Sequence, residues 1–194
     1  MALTSFADAG SLSAAERKTL LDAARQSIAS GLSGARLTID VQSYPAALRA
    51  TRATFVTLHV REELRGCIGS LEPRRALIED VVDNAYAAAF RDTRFAPLTS
   101  ADLEHLSVHV SLLSPLAPMR FDSEDDLLRQ LRPGVDGLVL GEHHHRGTFL
   151  PAVWESLATP REFLNRLKEK AGLPPDYWSA SITVERYTVE SLSS

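Results

Sequence analysis

Polar and apolar residues alternate along several stretches of this chain with the two-residue period of a half-buried strand. In TFVTLHV, residues 54–60, Val56, Leu58 and Val60 share one face. REE reads as a polar turn, and LRGCIGSL returns as the second strand of a hairpin over 54–70. In 106–115, Leu106, Val108, Val110 and Leu112 face one way. Residues 137–151 read as a second hairpin, and SITVERYTV, residues 181–189, as a last strand.

Helical periodicity fills the gaps. SAAE, Ser13 to Glu16, is a capping box, and a helix with Leu20, Ala24 and Ile28 on one face follows it to near Gly31. A wide apolar face marks 75–90, with Leu77, Ile78, Val81, Val82, Ala85, Ala88 and Ala89. TPRE, Thr159 to Glu162, is another capping box, whose helix ends at Gly172 before two prolines. Acidic residues 122–126 favour a short helix start. Hairpins separated by helices, without strict strand–helix alternation, predict an α+β fold with mostly antiparallel sheets flanked by helices. Residues 1–12 read as a tail, and 13–194 as a single domain.

Composition narrows the classes. The 194 residues carry a formal net charge of -4, which argues against a broad nucleic-acid surface. No apolar run is long enough for a bilayer, and no secretory signal is visible, so a cytoplasmic location is expected. No dinucleotide glycine pattern is present, and no cofactor is expected. One cysteine excludes an internal disulfide and a multi-cysteine zinc site, so no structural metal is expected.

That cysteine, Cys67, lies between Gly66 and Gly69. It is either an inert core residue or a functional thiol. Two glycines weaken a strand interior and make sense where another backbone or a ligand comes close. On a regular strand Arg65 would share Cys67's face and favour a thiolate; a bulge would break that geometry. In the RDTRF loop, Asp92 and Arg94 either form a local ion pair or contact an anionic ligand beside the hairpin, with Phe95 following. His109 shares the less apolar face of its strand with Ser107 and Ser111, and is a general-base candidate if that face lines a cleft. The run His143, His144 and His145 sits at a hairpin tip, and metal binding there is left open. Trp154 reads as core.

LRGCIG, residues 64–69, resembles the hallmark hexapeptide of the AMME-region protein family, whose bacterial and archaeal members are protein A of the AmmeMemoRadiSam system. The resemblance continues in order through AYAAAFRDTRFAPL, VHVSLLSP, GVDGLVL, GTFLPAVWE and FLNRLKEKAGL. It departs at Thr93, where the family commonly has proline, and at Ala152, where it has glutamine. The resemblance implies two intimately packed, interlocked α+β subdomains and a functional site lined by the hexapeptide. Arg65, Gly66, Gly69, Asp92, Arg94 and Phe95 are the expected ligand-binding residues, and Cys67 the catalytic candidate. The family's genomic company implies a radical SAM enzyme and a Memo-like protein as partners in a modification or redox pathway. Two functions are therefore expected: a ligand- or partner-binding component using the hexapeptide cleft, or a thiol-dependent enzyme with Cys67 as the reactive residue.

Overall fold

The computed structural model describes residues 12–157 and 159–193. The expected tail lies outside them except for Leu12, which is buried in a hydrophobic core. The elements run α1 (Ala14–Leu32), α2 (Ala46–Arg49), β1 (Thr54–Val60), β2 (Glu63–Gly69), α3 (Leu77–Phe90), β3 (Leu106–Leu113), β4 (Ala117–Pro118), α4 (Glu124–Gln130), β5 (Gly137–Glu142), β6 (His145–Phe149), α5 (Pro160–Lys170), β7 (Thr183–Tyr187) and β8 (Val189–Ser193). Two four-stranded sheets result, ordered β2-β1-β3-β8 and β4-β7-β5-β6, and the fold is α+β with antiparallel pairing.

The chain divides into two compact units, one of residues up to Leu112 with Ser191–Ser194, the other Leu113–Glu190. In the first unit, Val56, Leu58 and Val60 of β1 meet Leu106, Val108 and Val110 of β3 and the apolar faces of α1 and α3 in one core. Both expected capping boxes form. The Ser13 hydroxyl accepts from Glu16 N–H, and the Ser13 N–H donates to the Glu16 carboxylate at 2.8 Å. α3 is pinned to β1 by buried polar groups: Thr54 donates through its N–H (3.1 Å) and hydroxyl (2.6 Å) to Asp80, and Asn84 donates to both. Burial raises the Asp80 carboxyl despite those donors.

The second unit has its own core, with Leu138, Leu140, Phe163, Leu164, Leu167 and Trp154. The Trp154 ring stacks on Phe163 at 3.9 Å, and its N–H donates to Asp136 O at 2.7 Å. Lys168, fully buried, donates to Glu124 and to Pro175 O, tying α4 and the chain after α5 to α5 itself.

The structure differs from the sequence pattern in three places. The expected single strand 181–189 is two strands in different sheets, parted at Thr188, where hydrogen bonds to Ser114 take both its N–H and its C=O. Ser100–His105 forms a 3-10 turn capped by Thr99 and Asp102. α3 starts at Leu77, because Ala76 is still extended and bridges Thr51.

The β1–β2 turn contains Arg61 (φ 52°) and Glu62 (φ 70°), both in the left-handed region. L-residues there cost about 1–2 kcal/mol each, a cost glycine avoids. Glu62→Gly is therefore expected to stabilise the protein by about 1 kcal/mol and raise Tm by about 3 °C in a thermal melt.

Candidate functional site

The hairpin β1–β2 is not regular. Val60 pairs with Glu63 and His59 with Leu64, but Leu58 pairs with Gly66, so Arg65 is an extra residue. The bulge reverses the faces beyond it. Without it Cys67 would oppose Val56 and point into the core. With it Cys67 opposes Thr57 on the outer, half-exposed face, and Gly66 turns inward.

That outer face forms rows across three strands. Gly69, Phe55 and Ser111 make one, Cys67, Thr57 and His109 the next, and Leu64, His59 and Ser107 the third. The Thr57 hydroxyl donates to Cys67 Sγ at 3.3 Å. The rings of His59 and His109 meet edge to face, 5.1 Å apart. Burial first, and the neighbouring His59 second, keep the His109 pKa below its ordinary value. His59 Nδ1 is buried and has no hydrogen-bond partner among the described residues. Leu64 is 41% exposed, although it belongs to a strand of the sheet.

The RDTRF loop closes over the free edge of β2. Cys67 N–H donates to Asp92 Oδ2 at 2.9 Å, and Cys67 O accepts from Arg94 Nη2 at 2.9 Å. Arg94 in turn grips Asp92 through Nε at 2.9 Å and Nη2 at 2.7 Å. One carboxylate and one guanidinium thus stand in for the missing neighbouring strand. The Asp92 side chain is 4% exposed, and Arg94 above all holds its carboxyl well below the usual carboxylate range. Arg94 is raised in return, chiefly by Asp92 and to a lesser degree by the Cys67 side chain. The Arg94 guanidinium also lies 5.3 Å from the Phe95 ring centre. The local ion pair is present, and the same two side chains also bond the hairpin backbone at Cys67.

Two expected roles change. Arg65 does not sit over Cys67; it pairs with Asp102 at 3.5 Å, and the cation beside the thiol is Arg94. Gly66 and Gly69 do not open space for a ligand. A Cβ at Gly66 would stand 2.1 Å from the Ala88 carbonyl oxygen of α3, and one at Gly69 would stand 2.3 Å from Thr54 O. The close approach demanded by the glycines is made by the fold itself.

Sequence reasoning missed Thr57 and His59. Their signal was in phase with Phe55 on the polar side of β1, but only the bulged register brings Thr57 opposite Cys67. The three tip histidines diverge in their contacts. His145 Nδ1 lies 3.0 Å from Ala171 O, His144 stacks on His145 at 4.2 Å, and His143 faces Glu142 at 3.6 Å. No helix among the described residues is long and apolar enough to cross a membrane.

With this geometry in hand, comparison with known proteins is decisive on family. The AMMECR1 family model matches residues 21–192. The chain belongs to the AMMECR1 family. A protein of Methanothermobacter thermautotrophicus is 36% identical over 185 residues, covering 92% of this chain and 94% of the relative. One of Methanocaldococcus jannaschii is 38% identical over 164 residues, covering 81% of this chain and 79% of its own. The crystal structure of an uncharacterized protein from Pyrococcus horikoshii superposes with a TM-score of 0.81 at 31% identity, covering 90% of this chain and 89% of that one.

Two outcomes are expected from these contacts. Gly66→Ala is expected to lose about 3 kcal/mol of stability in urea melts, since overpacking here meets a carbonyl rather than a movable side chain. Ala88→Gly is not expected to rescue it. The second concerns pH. Asp92 binds its proton less tightly folded than unfolded, so its contribution is full above the unfolded value near pH 4 and drains as pH falls. Asp92→Asn is expected to be less stable than the native protein at pH 7. The gap is expected to narrow below about pH 4 in the same melts.

Proposed function

We propose that this protein is a cytoplasmic binding component that takes a ligand or partner on the outer sheet face around residues 64–69. Its partners are a radical SAM enzyme and a Memo-like protein of a shared modification or redox pathway. The observation that carries this reading is the state of Arg94. Its Nε and Nη2 are committed to Asp92 and Cys67, while Nη1 makes no hydrogen bond among the described residues and the side chain is 59% exposed. A guanidinium fixed on one side and open on the other is a pre-positioned donor for a carboxylate or phosphate. Exposed Leu64 supplies an apolar contact on β2, the strand whose backbone Arg94 bonds at Cys67. No histidine or carboxylate hydrogen-bonds the Cys67 thiol among the described residues, which favours binding over catalysis.

The thiol-dependent reading has its own support. The Thr57 hydroxyl donates to Sγ, Arg94 lies beside it, and His109 stands in register two strands away. An activity lost with Cys67→Ser in a reconstituted system, together with fast alkylation of the native thiol, would put this reading first.

The test is capture of the radical SAM and Memo-like proteins of the same organism by the purified chain. Leu64→Glu and Arg94→Ala are each expected to weaken capture on the order of tenfold. Leu64→Glu is expected to leave the melting temperature unchanged. Capture of neither protein, or equal capture by both variants, overturns the proposal.

A further inference from the structure

On the outer face of the first sheet, small side chains form one row with large ones on either side. The row runs from Cys67 on β2 through Thr57 on β1 to His109 on β3. Adjacent strands lie about 4.8 Å apart, so the row spans about 10 Å. Cys67 and Thr57 are small, and the Thr57 hydroxyl is turned to Sγ at 3.3 Å. Their neighbours on the same face of β1 are rings. On one side Phe55 lies over Gly69, its Cγ and Cδ1 filling the place a Cβ would take there. On the other side stands His59. A floor of small residues between two rings makes a shallow trough along the row.

The two ends of the trough are polar and different. Beyond Cys67 stands Arg94, whose Nη1 is the donor that Asp92 and Cys67 leave open. At the far end the half-buried His109 ring is held edge to face against His59, 5.1 Å away. His109 makes no hydrogen bond among the described residues. A neutral imidazole has one donor and one acceptor nitrogen, so it suits a hydroxyl or a carbonyl.

Charge narrows the ligand further. Asp92 neutralises Arg94 in direct contact, and both its oxygens are occupied, by Arg94 and by the Cys67 N–H. The clamp thus offers the N–H donors of Nη1 without surplus positive charge. That suits the single charge of a carboxylate better than a phosphate dianion, which costs more to desolvate.

Resting on the reading that Arg94 receives the ligand, we propose that this ligand is a slender organic monocarboxylate. Its acid group sits on Arg94 Nη1 and a hydroxyl or carbonyl group on His109. Its body lies over Cys67 and Thr57, between Phe55 and His59.

The probe is para-hydroxycinnamate, which is flat, with an acid at one end and a hydroxyl at the other. Isothermal titration of the full chain at neutral pH is expected to show one site. Cinnamate, which lacks the hydroxyl, is expected to bind about fivefold more weakly, as for one lost hydrogen bond. The corresponding alcohol, which lacks the acid, is expected to bind about tenfold more weakly. His109→Ala is expected to erase the preference for the hydroxyl and keep that for the acid, whereas a merely structural role would weaken all three alike. If His109→Ala does not fold, the imidazole NMR signals of the native protein decide. Those of His109 and His59 are expected to move with the probe and not with inorganic phosphate. No binding of para-hydroxycinnamate, equal binding of cinnamate, unmoved imidazole signals, or tighter binding of inorganic phosphate overturns the inference. A chain that captures the radical SAM or Memo-like protein but ignores the probe overturns the carboxylate alone. A chain that binds the probe but captures neither protein overturns the partners alone.

Discussion

One extra residue in β2 sets the faces of the hexapeptide. Strand side chains alternate, so the bulge at Arg65 exchanges inside for outside in all that follows. It sends Gly66 to α3, where only hydrogen fits against Ala88 O, and Cys67 to the open face opposite Thr57. It also frees Arg65 from the alternation, to pair with Asp102. The Asp102 carboxyl is held low first by the Thr99 N–H and hydroxyl, with Arg65 adding its charge. A thiol, a helix contact and an ion pair thus follow from one local irregularity.

The second constraint is the free edge of β2. An exposed edge invites pairing with other chains, and proteins cover or charge it. Here the loop after α3 covers it at Cys67 with Asp92 and Arg94. The same groups that protect the edge present an open guanidinium donor beside a half-exposed thiol. The scaffold beneath is well held: Thr54, Asp80 and Asn84 lock α3 to β1 inside the core. The clamp therefore sits on a surface that positions it within narrow limits.

Much of the fold was legible in the sequence because it rests on local physics. Alternation in 54–60 and 106–113, the capping boxes at Ser13 and Thr159, and Gly172 with its φ of 84° after α5 each involve residues a few positions apart. The cluster of Cys67, Asp92 and Arg94 was legible in part, as two neighbouring segments with complementary chemistry. What they do to each other was not, because Asp92 is 25 positions from Cys67 and its role is to bond backbone, which leaves no pattern in side-chain type.

The sequence by itself determined the main helices and hairpins and the inward faces of β1 and β3. Tertiary structure decided which way Cys67 points, what fills the space at Gly66, and which arginine accompanies the thiol. It also split 181–189 between two sheets at Thr188. The physical reason is common to all four. Period-two alternation fixes faces only while the register is unbroken, and the register at Arg65 and at Thr188 is set by partners distant in sequence.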